Sequence, residues 1–253
     1  MTPPIALQLY TLRREASQGL AGVLERVAGI GYAGIETAGL LQGIQPGVFR
    51  QMVADLGLRV AGSYLLLSPG ESLDAFLDQQ QELGNDVVVS SLGPDDFASP
   101  EAVERAAERF NATAELVRGC GMRLGYHNHW WEYARSAAGW VPMSLFLERL
   151  ERDVFLEFDV YWAQTEGFDP AAVLETVGSR VRRLFLKDGP CTRDDLPTAI
   201  GTGTVDFEAA LGAARHVEWH VVALDEYAGD MFEAVETSYR YLTQHGLSEG
   251  RRA

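Results

Sequence analysis

Short runs that are apolar or alternate between apolar and polar residues recur along the chain, separated by longer segments with apolar residues at three-and-four spacing. The short runs read as strands over 5–10, 33–38, 59–66, 86–92, 123–129, 155–163, 181–188 and 219–227. The segments between and after them read as helices over 18–29, 46–56, 71–83, 100–119, 142–151, 169–179, 206–216 and 230–245. Ser99-Pro100 and Asp169-Pro170 set a short polar cap before a proline in the first helical turn. "GIGYAGIE" and "DLGLRVAG" put glycine between a helix and the next strand. Eight strand–helix units thus fill the 253 residues without a linker or a low-complexity stretch. A doubly wound sheet could also alternate, but eight full units with no Gly-x-Gly-x-x-Gly after the first strand favour a closed barrel, and no nucleotide cofactor is expected. The pattern predicts one α/β domain over 1–253, a single (β/α)₈ TIM barrel.

Barrels of this kind carry function at the C-terminal strand ends, and strand parity sorts the polar residues there. In "FLEFDVYW", Leu156, Phe158 and Val160 suit the helix layer, while Glu157, Asp159 and Tyr161 point inward. Arg183, Phe185 and Lys187 point inward from the seventh strand, Gln8 and Tyr10 from the first, and Glu36 from the second. Tyr64 stands at the end of the third. "GYHNHWWEYA" places His127, Asn128, His129 and Glu132 within six residues after the fifth. Asp225 in "ALDEY" completes the set. Buried carboxylates need a partner, so several at one barrel end imply a cation, a lysine or a polar ligand. Trp130, Trp131, Tyr161 and Trp162 fall near the same mouth, where they either stack on a sugar ring or pack the rim. "GTGTVDF" sets Gly201 and Gly203 just before a helix, either as a phosphate-binding turn or as plain turn chemistry with Asp206 as the cap.

Composition narrows the function. The formal net charge of −15 opposes nucleic-acid and membrane-surface roles. The N-terminus lacks a signal-peptide pattern, no run approaches a spanning helix, and Cys120 and Cys191 form no framework, so a cytoplasmic location is expected. Of the 21 basic residues only Lys187 is lysine, which marks a position where a compact ammonium is wanted. The C-terminal "EGRRA" reads as a frayed end.

In this order, "LGYHNHWWEY", "LEFDVYWAQTEGFDP", "FLKD", "GTGTVDF" and "LDEY" resemble the sugar phosphate isomerase/epimerase group of xylose-isomerase-like TIM barrels, over essentially the whole chain. The resemblance implies an isomerase or epimerase of a sugar or cyclitol, with or without a phosphate group, that moves a proton next to a carbonyl. It also implies a small carbohydrate as partner and a homo-oligomer as an open state. The group holds a divalent metal, Mn²⁺, Mg²⁺ or similar, on two glutamates, an aspartate and a histidine. Carried over, Asp159 and Glu132 match two ligands and Lys187 matches the lysine of an H-x-K-D pattern. The histidine of that pattern is Phe185 here, the glutamate of the eighth strand is Ala223, and a histidine of the third strand is Tyr64. Lys187, Glu132 and Asp225 are then the catalytic candidates. Gln8, Tyr10, Glu36, Tyr64, His127, His129, Tyr161 and Trp162 are the candidates for substrate binding. Two alternatives stand beside this: a metal-independent enzyme using Lys187 with Glu157 or Asp159, or a non-catalytic sugar-binding barrel.

Overall fold

The computed structural model describes residues 2–39, 41, 43–65, 72–136 and 139–252. Eight parallel strands close on themselves in sequence order: β1 (Ile5–Gln8), β2 (Gly34–Thr37), β3 (Arg59–Tyr64), β4 (Val87–Ser90), β5 (Arg123–His127), β6 (Phe155–Asp159), β7 (Val181–Leu186) and β8 (Trp219–Val222). The closing pair is β1 with β8, in register Ile5↔His220 to Leu7↔Val222. Between and after the strands lie α1 (Arg13–Ala16), α2 (Leu20–Ile30), α3 (Pro46–Asp55), α4 (Leu73–Leu83), α5 (Pro100–Gly119), α6 (Pro142–Arg149), α7 (Val160–Thr165), α8 (Pro170–Val177), α9 (Phe207–Ala213) and α10 (Met231–Gln244). All eight expected strands and helices are present; α1 and α7 are additional. Leu66 and Glu71, at the expected ends of the third strand and fourth helix, lie outside the described residues.

Helix starts follow the local chemistry. Ser99 Oγ accepts from Ala102 N at 3.2 Å, Asp169 from Ala171 N at 3.0 Å, and Asp206 from Ala209 N at 3.0 Å. Each cap satisfies an N–H that the first helical turn leaves without a partner.

The strands end earlier than the apolar pattern suggests. Beyond Gln8 the chain enters a 3₁₀ turn over Leu9–Leu12. Beyond Asp159 it turns at once into α7, because the Asp159 side chain accepts from Trp162 N at 3.0 Å and caps the new helix. Strand parity therefore stops applying after Asp159. Tyr161, expected inward on a strand, sits on α7 and donates its hydroxyl to Thr192 O at 3.4 Å.

The barrel interior contains a charged layer. Arg183, 1% exposed, donates from Nη2 to Glu36 Oε2 and from Nε to Glu157 Oε2, both at 2.5 Å, and from Nη1 to Ala61 O. Gln8 Nε2 donates to the other oxygen of Glu36 at 2.8 Å. A Cβ at Gly62 would stand 3.0 Å from Arg183 Nη1, so glycine gives the guanidinium its room. A small apolar cluster of Ala6, Ala61, Phe185, Val221 and Ala223 accompanies this layer.

The expected frayed end is held to the barrel through Arg251. Glu249 N donates to Pro3 O and Glu249 O accepts from Ile5 N, both at 2.9 Å, tying the tail to β1. Arg251 donates to Leu56 O at 2.6 Å and Ala28 O at 3.4 Å, carbonyls at the ends of α3 and α2. Ala28 O already accepts from Gly31 N at 3.1 Å, so the guanidinium adds a second donor there and supplies one to Leu56 O just beyond α3.

Candidate active site at the barrel mouth

Gln8, Tyr10, Ala38, Tyr64, His127, His129, Phe185, Lys187 and Asp225 line a cavity of about 200 Å³ at the C-terminal strand ends. Five of the residues expected to bind substrate, Gln8, Tyr10, Tyr64, His127 and His129, therefore converge here with both members of the lysine–aspartate pair. The cavity is small beside the about 300–1,000 Å³ of drug-sized sites, which suits a compact ligand.

Lys187 is the centre of the charge. It is 2% exposed, with Nζ 2.6 Å from Asp225 Oδ2 and 3.5 Å from Asp159 Oδ2. Burial lowers its pKa, but Asp225 and Asp159 outweigh burial and hold it above the ordinary lysine value. Asp159 is fully buried; desolvation pushes its pKa up to about 6 against the pull of Lys187. Asp225 is half-exposed, and Lys187 overcomes its burial to keep its pKa below the usual carboxylate value. The ammonium also lies 5.3 Å from the Trp162 ring centroid and 5.1 Å from that of Phe185, within cation–π range. Trp162 thus borders the lysine from α7.

The histidines are uncharged. Burial, His129 and Lys187 hold His127 well below the usual range, and burial with Lys187 takes His129 to about 3. His127 Nδ1 lies 3.7 Å from Glu157 Oε1 and Nε2 lies 3.9 Å from Asp159 Oδ2, too far for hydrogen bonds. His129 stacks on Trp131 with centroids 4.2 Å apart and planes 9° apart. Asn128 is a clip: it accepts from Asp159 N at 3.0 Å and donates to Asp159 O at 3.2 Å, fixing the end of β6 to the loop after β5. Tyr64 donates to Ser91 Oγ at 2.5 Å and meets His127 edge-on.

Glu36, Glu132 and Tyr161, all expected at the site, are elsewhere; Tyr161 is turned to Thr192 from α7. Glu36 belongs to the Arg183 layer, with both oxygens engaged and no exposure. Glu132 does not line the cavity. Its Oε1 accepts from Tyr126 Oη at 2.5 Å and its Oε2 from His129 N at 2.9 Å. Tyr126 packs among Phe97, Phe110 and Phe146 on the outer face of the barrel. Burial pushes the Glu132 pKa up to about 8. Likewise Glu157 pairs with Arg183 and not with Lys187. Arg183, inward by strand parity, is a structural residue that holds Glu36 and Glu157 below the mouth.

A divalent cation does not fit this donor set. Phe185 and Ala223 offer no donor atoms and are packed in the apolar cluster. Both oxygens of Glu132 are committed away from the cavity, and Lys187 Nζ already lies between Asp159 and Asp225. Among the described residues no three His, Cys, Asp or Glu side chains converge to hold a metal.

Residues 24–244 match the xylose isomerase-like TIM barrel family. The chain belongs to this family. A sugar phosphate isomerase/epimerase from Parabacteroides distasonis is 26% identical, with a TM-score of 0.80 over 98% of this chain and 96% of that one. An L-ribulose 3-epimerase shares the fold at 17% identity, with a TM-score of 0.72 over 97% and 94% of the two chains. An inosose dehydratase from Serratia proteamaculans is 27% identical over 114 residues, a match spanning 44% of this chain and only 36% of that protein. No described helix is long and apolar enough to cross a membrane.

Proposed function

We propose that the chain is an isomerase or epimerase of a small sugar or cyclitol, moving a proton at the carbon beside a carbonyl, with the Lys187 ammonium in the role that a metal cation plays elsewhere. The observation that carries this reading is the buried Lys187 on the cavity wall, 2.6 Å from the half-exposed Asp225 and 3.5 Å from the buried Asp159. The substrate carbonyl oxygen faces the ammonium. Asp225 takes the proton from the adjacent carbon while the electron pair moves onto that oxygen, giving an enediolate opposite Lys187. Return of the proton from Asp225 to the neighbouring carbon, after a hydroxyl proton shifts, gives the isomer; the epimer forms when the enediolate turns its other face to Asp225 before the proton returns.

Asp225 is ionised at neutral pH and can accept the proton, but its lowered pKa makes it a weak base. The balance falls on stabilisation of the developing oxyanion, and an ammonium in a partly dry site is suited to supply it. Phe185 against the lysine and the neutral His127 keep the site dry.

The test is deuterium uptake from D₂O at the carbon beside the carbonyl, followed by NMR across free ketoses, aldoses and inososes with EDTA present. Exchange should occur in EDTA and fall by at least about 100-fold in Lys187→Met. Exchange that requires added Mn²⁺ would restore the metal-dependent reading. Saturable sugar binding without exchange would make the barrel a sugar-binding protein.

A further inference from the structure

We propose that the mouth accepts only an uncharged, unphosphorylated polyhydroxy carbonyl compound, because the anion cradle after β7 is already filled by the protein's own Asp188. This rests on the carbohydrate reading above and narrows its substrate class.

The cradle is the turn Gly201–Val205, whose backbone amides could bind a phosphoryl group if they faced outward. They face inward. Asp188, 1% exposed, accepts from Gly201 N and Gly203 N at 2.9 Å on Oδ2, and from Gly189 N at 2.8 Å and Val205 N at 3.2 Å on Oδ1. A Cβ at Gly203 would overlap Asp188 Oδ1 and Gly189 N, so glycine there serves the internal carboxylate. Four amide donors converge on an anion that the chain itself provides.

The cations around the mouth are committed too. A phosphoryl group carries about −1.5 to −2 charges at pH 7 and needs charged donors. Lys187 is shared between Asp225 and Asp159, which leaves one N–H for a carbonyl oxygen but no net positive charge for a dianion. Arg13 and Arg14 both hold Glu226, at 2.7 and 3.0 Å. Arg193 grips both oxygens of Glu166 at 2.6 and 2.7 Å. Arg135 lies over Phe168, outside the cavity lining. The residues outside the described set include no lysine or arginine, so no further cation can come from them. What the cavity presents is one ammonium between two carboxylates, two neutral imidazoles, an amide and two phenol rings. A neutral polyol suits those groups, and a phosphate dianion is repelled by them.

Two measurements test this together. Free sugars and their phosphate esters are compared in pairs by deuterium uptake, and thermal unfolding of the wild-type chain is compared in low-millimolar inorganic phosphate and in chloride at equal ionic strength, below the concentrations at which phosphate stabilises proteins by exclusion from their surface. The expected result is that each exchanging sugar outpaces its ester by at least about tenfold, and that phosphate leaves the unfolding midpoint at its chloride value. An ester exchanging faster than its parent, or a midpoint raised by phosphate over chloride, overturns the proposal. If nothing in either set exchanges, the isomerase reading fails, while the phosphate comparison still decides whether the chain holds a phosphoryl group.

Discussion

Replacing Arg183 by methionine separates the scaffold of this barrel from its site. The side chain is 1% exposed and bridges Glu36 and Glu157, both fully buried. In the wild type, burial and the neighbouring Glu36 already hold the Glu157 pKa well above the carboxylate range, with Arg183 pulling the other way. Removing the guanidinium leaves Glu36 without its cation, so this carboxyl must be neutralised as well. Neutralising at pH 7 a carboxyl that ordinarily titrates near 4.3 costs about 4 kcal/mol, at 1.36 kcal/mol per pH unit. That agrees with the about 3–5 kcal/mol found when one partner of a buried ion pair is deleted. It is also a large share of the about 5–15 kcal/mol of a typical domain.

Urea unfolding at pH 7 should therefore show Arg183→Met losing about 4 kcal/mol. The triple variant Arg183→Met/Glu36→Gln/Glu157→Gln should recover at least half of it, since no charge then remains to be neutralised. At pH 5 the single variant's deficit should shrink by about 3 kcal/mol, because protons supply the neutralisation more cheaply. A loss below about 1 kcal/mol, or a triple variant no better than the single one, would show that the charge layer is not what Arg183 maintains.

Three further outcomes are expected. Dialysis against EDTA should leave the unfolding midpoint within about 1 °C, since nothing that binds the native state is removed; a drop of several degrees would reveal a bound metal. Glu132 has a folded-state pKa of about 8, raised by burial, so the stability tied to its protonated form is present below its unfolded value and is lost as pH rises through about 8. Glu132→Gln should accordingly gain on the wild type by about 1.4 kcal/mol per pH unit between pH 5 and 8, and urea midpoints that move in parallel would contradict the burial assignment. Asp188→Ala should cost several kcal/mol, at about 1–3 kcal/mol for each stranded amide. Asp188→Asn, which keeps one acceptor oxygen, should cost less, and equal losses in the two variants would remove Asp188 as the anchor of the turn.

Several features of the site could be read in advance because they depend on local geometry. Side chains alternate along a strand, so Gln8, Glu36, Asp159, Arg183, Phe185 and Lys187 had to share the barrel interior once their strands were assigned. The lone lysine stood out under an otherwise uniform use of arginine. Parity failed at Tyr161, where Asp159 caps α7 and ends the strand after five residues. Proximity in sequence also misled: Glu132 lies three residues from His129, yet it turns outward to Tyr126 and not into the mouth.

The sequence by itself determined the eight strand–helix units and the inward faces of the strands, since both follow from periodicity, while the family resemblance marked positions 185 and 223 as places where side chains without donor atoms stand. Only the tertiary structure decided which charges pair. Arg183 reaches Glu36 across 147 positions of sequence, Lys187 reaches Asp225 across 38, and Asp188 takes the amides that could have bound a phosphate. Closing the barrel brings distant strand ends within hydrogen-bond reach of one another. At that range and burial, a difference of one or two ångströms determines which carboxylate holds the cation and which remains for chemistry.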